Sequence, residues 1–118
     1  MIEIILPFPD PRLNPNRSKG THWAATGKIR KDAREYARWM GRGVLCPPLS
    51  ENGTIAVAIC FSQPDKRRRD RDNLLAALKP SLDGIADALG INDSQFGPVT
   101  INLEYGKYPG FVRVEIGT

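Results

Sequence analysis

Apolar residues follow two alternating periods along this chain, and each change of period marks an element. "IEIIL" (Ile2 to Leu6) is rich in β-formers and stops at "PFPDP", where three prolines in five residues forbid both a helix and a paired strand. From Lys28 the period lengthens: Ile29, Ala33, Tyr36 and Met40 recur at spacings of four, three and four, which predicts one stripe of an amphipathic helix. Lys31, Arg34 and Arg38 share another face of it. Gly41 to Gly53 reads as a loop. Thr54 to Phe61 then sets Ile55, Val57, Ile59 and Phe61 on one face and small Ala56, Ala58 and Cys60 on the other, which predicts a strand buried on both sides.

Leu74, Leu78, Leu82, Ile85 and Leu89 recur at four, four, three and four, which predicts a second helix packed on the sheet. Pro80 lies inside it and predicts a kink or restart near Lys79, because proline removes a backbone donor and clashes with the preceding turn. "VTINLEY" and "FVRVEIG" alternate like strands, and the five residues "GKYPG" between them predict a hairpin. The expected order is β-α-β-α-β-β, a single α+β domain over residues 1–118 with two helices and a mixed sheet.

Composition narrows the partners. Seventeen Lys and Arg against thirteen Asp and Glu give a net charge of +4, which suits a polyanionic partner without requiring one. Two cysteines fourteen residues apart and one histidine do not make a zinc site of the usual kind, so packed thiols in a reducing compartment are expected. No apolar run approaches the ~20 residues of a membrane span, and the N-terminus lacks the features of a signal peptide. A cytoplasmic protein with no membrane partner is expected. The segment from the first strand to about Thr26 has no apolar period and carries Asn16, Arg17, Lys19 and His22. A long loop of that kind is either functional or disordered.

The chemistry concentrates in "KRRRDRDN" (Lys66 to Asn73). Five basic residues, Lys66, Arg67, Arg68, Arg69 and Arg71, would hold phosphates by charge and bidentate hydrogen bonds, yet Asp70 and Asp72 would repel the same anion. A divalent cation between carboxylates and phosphate resolves the conflict. An extended backbone would place Asp70 and Asp72 on one side; alternatively Asp72 simply caps the second helix. Asp93, in the loop after that helix, is a third candidate. Three carboxylates without histidine or thiolate make a hard oxygen site suited to Mg²⁺ or Mn²⁺. Lys79 and Asp83 project within about 20° of Asp72 on a helix of ~100° per residue, either lining the same cleft or forming an ordinary i,i+4 surface pair.

These motifs resemble the RusA family of Holliday junction resolvases, small endonucleases of phages and prophages. "ILPFP" followed by "NPNR" is similar to the family's first strand, turn and Asn-containing loop. "GTHWAATGK" looks like its approach to the first helix. "PDKRRRDRDN" matches its basic run before D-x-D-N, and "INDSQ" is similar to its second acidic motif. The resemblance covers nearly the whole chain.

It implies a RusA-like fold, metal-binding aspartates at Asp70, Asp72 and Asp93, and Mg²⁺-dependent hydrolysis of phosphodiesters in four-way DNA junctions by a homodimer. It also implies DNA contacts from the basic run with Asn16, Arg17, Lys19, His22 and Asn73. The family's lysine after D-x-D-N-x-x falls on Ala76, and Lys79, followed four residues later by Asp83, is the candidate to replace it. Asn92 stands where the family has the first of two aspartates. These departures keep open a branched-DNA-binding protein that has lost catalysis, and the basic composition alone is also compatible with a scaffold that has no DNA role.

Overall fold

The structure is a computed structural model that describes residues 1–15 and 23–117 and, of residues 23–25, the backbone. The elements run β1 (Ile2–Pro7), α1 (Trp23–Met40), β2 (Ile55–Gln63), α2 (Arg71–Leu89), β3 (Phe96–Tyr105) and β4 (Phe111–Ile116), with single 3₁₀ turns at Pro11–Leu13 and Asp93–Gln95. This is the expected order of an α+β domain with two helices and a mixed four-stranded sheet. None of the described helices is long and apolar enough to cross a membrane.

The predicted hairpin does not form. The sheet order is β1-β4-β2-β3, so β4 lies antiparallel between β1 and β2 while β3 pairs parallel with β2 on the other side. The five residues between β3 and β4 pass over the end of β2 instead of making a tight turn. Gly106 donates its N–H to the Gln63 carbonyl at 2.8 Å. A Cβ there would stand 2.2 Å from the Ser62 hydroxyl, and one on Gly110, at φ +77°, would stand 2.8 Å from the Ser62 carbonyl oxygen. Only glycine permits that crossing without displacing the strand end. The alternation of β3 and β4 is the same for adjacent strands as for strands separated by a third.

In this order the buried apolar strand residues point to one face. Ile4 and Leu6, Val57, Ile59 and Phe61, and Val112, Val114 and Ile116 form one core with Leu74, Leu78, Leu82, Ile85 and Leu89 of α2. Each fully buried aliphatic or aromatic side chain contributes roughly 1.5–3 kcal/mol. The α2 stripe is therefore the one its spacing predicted. The opposite face of β2 is not buried as expected: Ala56, Ala58 and Cys60 are half-exposed, beside Arg113 and Glu115 of β4, which form an ion pair at 3.3 Å. Their small side chains had suggested a second packed layer, but both helices lie on the same side.

Helix α1 buries a different stripe from the predicted one. Ala37 is fully enclosed and Thr26 nearly so, whereas Tyr36 and Met40 are exposed. The reason is how closely α1 approaches α2. A Cβ on Gly84 would stand 2.1 Å from the Arg34 carbonyl oxygen, and one on Gly41 would stand 3.0 Å from the Ala88 Cβ. Backbones that near to one another admit alanine and glycine but no large apolar residue. Of the kink or restart expected at Pro80, the restart does not occur, and α2 runs through it as one helix. The carbonyl that proline leaves without its helical donor belongs to Ala76, which is exposed, so water can satisfy it.

Candidate metal and nucleic-acid site

Helix α2 starts at Arg71, and its N-cap is Asp70 and not Asp72. The Asp70 backbone is extended, and its Oδ1 accepts from the backbone N–H of Asp72 at 2.8 Å and of Asn73 at 3.3 Å. Asp72 already lies in the first helical turn, so the two carboxylates do not follow the extended i, i+2 arrangement. They still line one open concavity with Arg68, Arg69 and Arg71. Capping fixes the Asp70 carboxylate through one oxygen and leaves the other without a partner among the described residues. The helix N-terminus favours both negative charges.

The basic run divides into two groups. Arg69 is only 20% exposed in its side chain, and its Nη1 donates to Asp65 at 2.9 Å and to Gln63 Oε1 and the Arg67 carbonyl at 3.4 Å. Its guanidinium also stacks 5.3 Å from the centre of the Phe8 ring. Hydrogen bonds and charge from Arg69 hold the Asp65 carboxyl below its ordinary 3.8. Arg69 therefore shapes the loop leading to Asp70, and the backbone N–H of Arg67 is tied to the same aspartate at 2.9 Å. The side chains of Lys66, Arg68 and Arg71 are exposed, with no hydrogen bond or ion pair among the described residues. The sequence reading did not single out Asp65, although its i,i+4 relation to Arg69 was a signal for the pair.

Asp93 opens the 3₁₀ turn after α2, and Asn92 is built into holding it. The Asn92 side chain accepts from the Ser94 N–H at 2.9 Å, and Gln95 Oε1 accepts from the Asn92 N–H at 2.9 Å. That reciprocal capping box is a task asparagine performs as well as aspartate. Gln95 also donates to the Gly53 carbonyl at 3.0 Å, pinning the turn to the loop before β2. The Lys79 ammonium bonds to Asp93 and lies 3.4 Å from Asp83. The hydrogen bond to Asp93 raises the Lys79 pKa above 10.5, and the same bond and charge lower that of Asp93 below 3.8. The cluster sets the Lys79 side chain between Asp83 and Asp93.

The structure thus brings Lys79, Asp83 and Asp93 together, and separately Asp70, Asp72 and the arginines. Among the described residues no three Asp, Glu, His or Cys side chains stand as one metal-holding group. Asp70 and Asp72 fit a Mg²⁺ ion that keeps several waters and uses one or two carboxylates plus substrate phosphate. Asp93 is engaged by Lys79 and not by them. Asn73 is half-buried one turn into α2, beside Asp70. Asn16, Arg17, Lys19 and His22 lie outside the described residues.

A second concavity, of about 690 Å³, borders this site. It lies between the turn after β1, the middle of α1 and the N-terminal part of α2, with Asp70 and Asn73 on its wall. Three residues of the stripe read from the period of α1, Ile29, Ala33 and Tyr36, line it.

No family model matches the chain. Over 118 residues, 98% of this chain and 76% of the other, it is 42% identical to an uncharacterized protein of Xylella fastidiosa (strain Temecula1). The chain belongs to the same family as that protein.

Proposed function

We propose that this protein is a divalent-metal-dependent endonuclease of the RusA type, acting on four-way DNA junctions in phage or prophage recombination and repair. The observation that carries the reading is the concavity shared by Asp70, Asp72 and three arginines at the start of α2. Carboxylates among arginines work against each other on bare phosphate and cooperate on phosphate plus Mg²⁺ or Mn²⁺. When bound, the cation would supply Lewis acidity at the phosphoryl oxygens and lower the pKa of attacking water.

The chain's own residues have separate tasks. Asp70 and Asp72 would hold the ion, with the Asp70 carboxylate oriented by its capping bonds. Arg68, Arg71 and Lys66 would bind flanking phosphates, since they have no internal partners among the described residues. Lys79 would stabilise developing negative charge, with Asp93 as its partner or as a third ligand. Two incisions related by a two-fold axis suit a C₂ homodimer. The edges β1 and β3 and the uncovered sheet face leave room for such a contact away from the arginines.

A binding-only protein is the second reading, favoured by the engagement of Asp93 with Lys79 and not with the other aspartates. A synthetic four-way junction incubated with the protein and Mg²⁺ decides between them. Paired symmetric nicks, far faster than cuts in linear duplex and abolished by chelation, are the expected result. Salt-sensitive junction binding without nicks would leave the binding-only protein, and equal cutting of duplex and junction by a monomer would leave a generic nuclease.

A further inference from the structure

The 690 Å³ cavity beside Asp70 falls within the roughly 300–1,000 Å³ of small-ligand clefts. Its floor is apolar and its mouth is charged. Leu13, Leu74 and Ala77 are buried at its base, Phe8 and Tyr36 present aromatic rings, and Arg67 and Arg68 stand at the rim. Phe8 is held edge-on against Phe61 and stacked by Arg69, so its ring is a fixed wall. Tyr36 is half-exposed on α1 although its position in the sequence pattern suited the core.

Polar groups sit where an oriented ligand needs them. The half-buried Asn73 side chain lines the cavity one turn from Asp70, and no hydrogen bond among the described residues uses its carboxamide. Ser81 adds a hydroxyl to the lining. A carboxamide offers a donor and an acceptor side by side, the complement of a nucleobase edge. Arg68, without an internal partner, attracts phosphate to the mouth, and two residues on stands Asp70.

We propose that this cavity receives one nucleobase unstacked from the strand whose phosphate lies against Asp70. The inference rests on the nuclease reading and adds to it how the strand is gripped. Aromatic and apolar walls replace the stacking that the base gives up, and Asn73 reads its edge, as in other enzymes that take a base out of the helix. A branch point supplies such a base at least cost, because stacking is already interrupted there. Preference for branched DNA and for particular bases at the cut then have one origin.

The test uses the whole protein with four-way junctions carrying single 2-aminopurines at successive positions around the cut, with Ca²⁺ replacing Mg²⁺ to limit turnover. The expected result is a fluorescence rise at one position beside the scissile phosphate and at none in the remote arms. Ala33→Phe, which projects a ring from α1 into the cavity, should abolish that rise and slow Mg²⁺-dependent nicking by on the order of 10²-fold, as misplacement of a reacting strand does. Junctions cut at normal rates with no rise at any position would overturn the pocket and leave the nuclease standing. Junctions neither bound nor cut would overturn both. The fluorescence measurement on the unaltered protein decides even if Ala33→Phe fails to fold.

Discussion

At Gly84 helices α1 and α2 meet backbone to backbone, whereas two turns earlier, at Ala77, they stand apart around a cavity large enough for a small ligand. The closed end is lined by Ala37, Gly41, Gly84 and Ala88, and the Arg34–Asp87 ion pair bridges it at 2.7 Å. The open end holds Ile29 and Ala33 on one helix and Asn73, Ala77 and Ser81 on the other, with Asp70 at its rim. Small residues let the helices close on each other at one end of the seam, and the cavity lies at the other. Stability and candidate chemistry therefore occupy opposite ends of one helix pair.

The strongest way to break this contrast is to add one carbon at the closed end. Glycine to alanine inside a helix ordinarily stabilises by roughly 0.5–1 kcal/mol. Gly84→Ala should instead destabilise by about 2–3 kcal/mol, because its Cβ meets a main-chain oxygen that cannot move independently. Gly27→Ala, in α1 with nothing among the described residues within 4 Å of the added carbon, should show the ordinary gain. Urea denaturation of the two variants checks the sign, and a stabilised Gly84→Ala would show that the helices do not close there.

At the open end, Asp70 separates cap from chemistry. Asparagine caps a helix as well as aspartate, so Asp70→Asn should leave the melting temperature nearly unchanged. It should lower junction cleavage by at least about 10²-fold, with DNA binding equal or tighter, because a repelling charge has gone. Asp70→Ala should lose cleavage equally and also about 1 kcal/mol of stability as the two capped N–H groups lose their acceptor. Full activity in Asp70→Asn would reduce the residue to a cap.

The smallest expected effect concerns the ion pair at the closed end. Hydrogen bonds and charge from Arg34 hold the Asp87 carboxyl below its ordinary 3.8. A carboxyl lowered in the folded state contributes stability above its unfolded value and loses it as pH falls through the lowered one. Asp87→Asn should therefore be slightly less stable than the parent at pH 7, by the amount typical of an exposed pair, and indistinguishable from it at pH 2. Thermal melts at the two pH values give the comparison, and a difference that persists in acid would assign the effect to packing.

Much of this was legible from local pattern. The spacing of Leu74, Leu78, Leu82, Ile85 and Leu89 marked a helix face that is buried throughout, and the alternation in β2 identified its core side. The crowding of arginines around Asp70 and Asp72 drew attention to the loop that now carries the candidate site. Which aspartate caps the helix was not legible, since both fit the rule and only the backbone angles separate them. Arg69 belonged by type with the phosphate-binding arginines, but its contacts with Gln63 and Phe8 make it part of the loop's frame.

What the sequence by itself determined is what depends on neighbours within a few positions: the kinds of element, their order, the apolar face of α2 and the placing of charge in the loops. The tertiary structure alone decided that β4 enters between β1 and β2, that α1 turns small residues to its partner, and that Lys79 meets Asp93 across the end of α2. Periodicity is a property of one segment and is unchanged by which segment pairs with it. Pairing is a competition among distant partners, settled by close approaches such as those at Gly84 and Gly106 that leave in the sequence only a glycine.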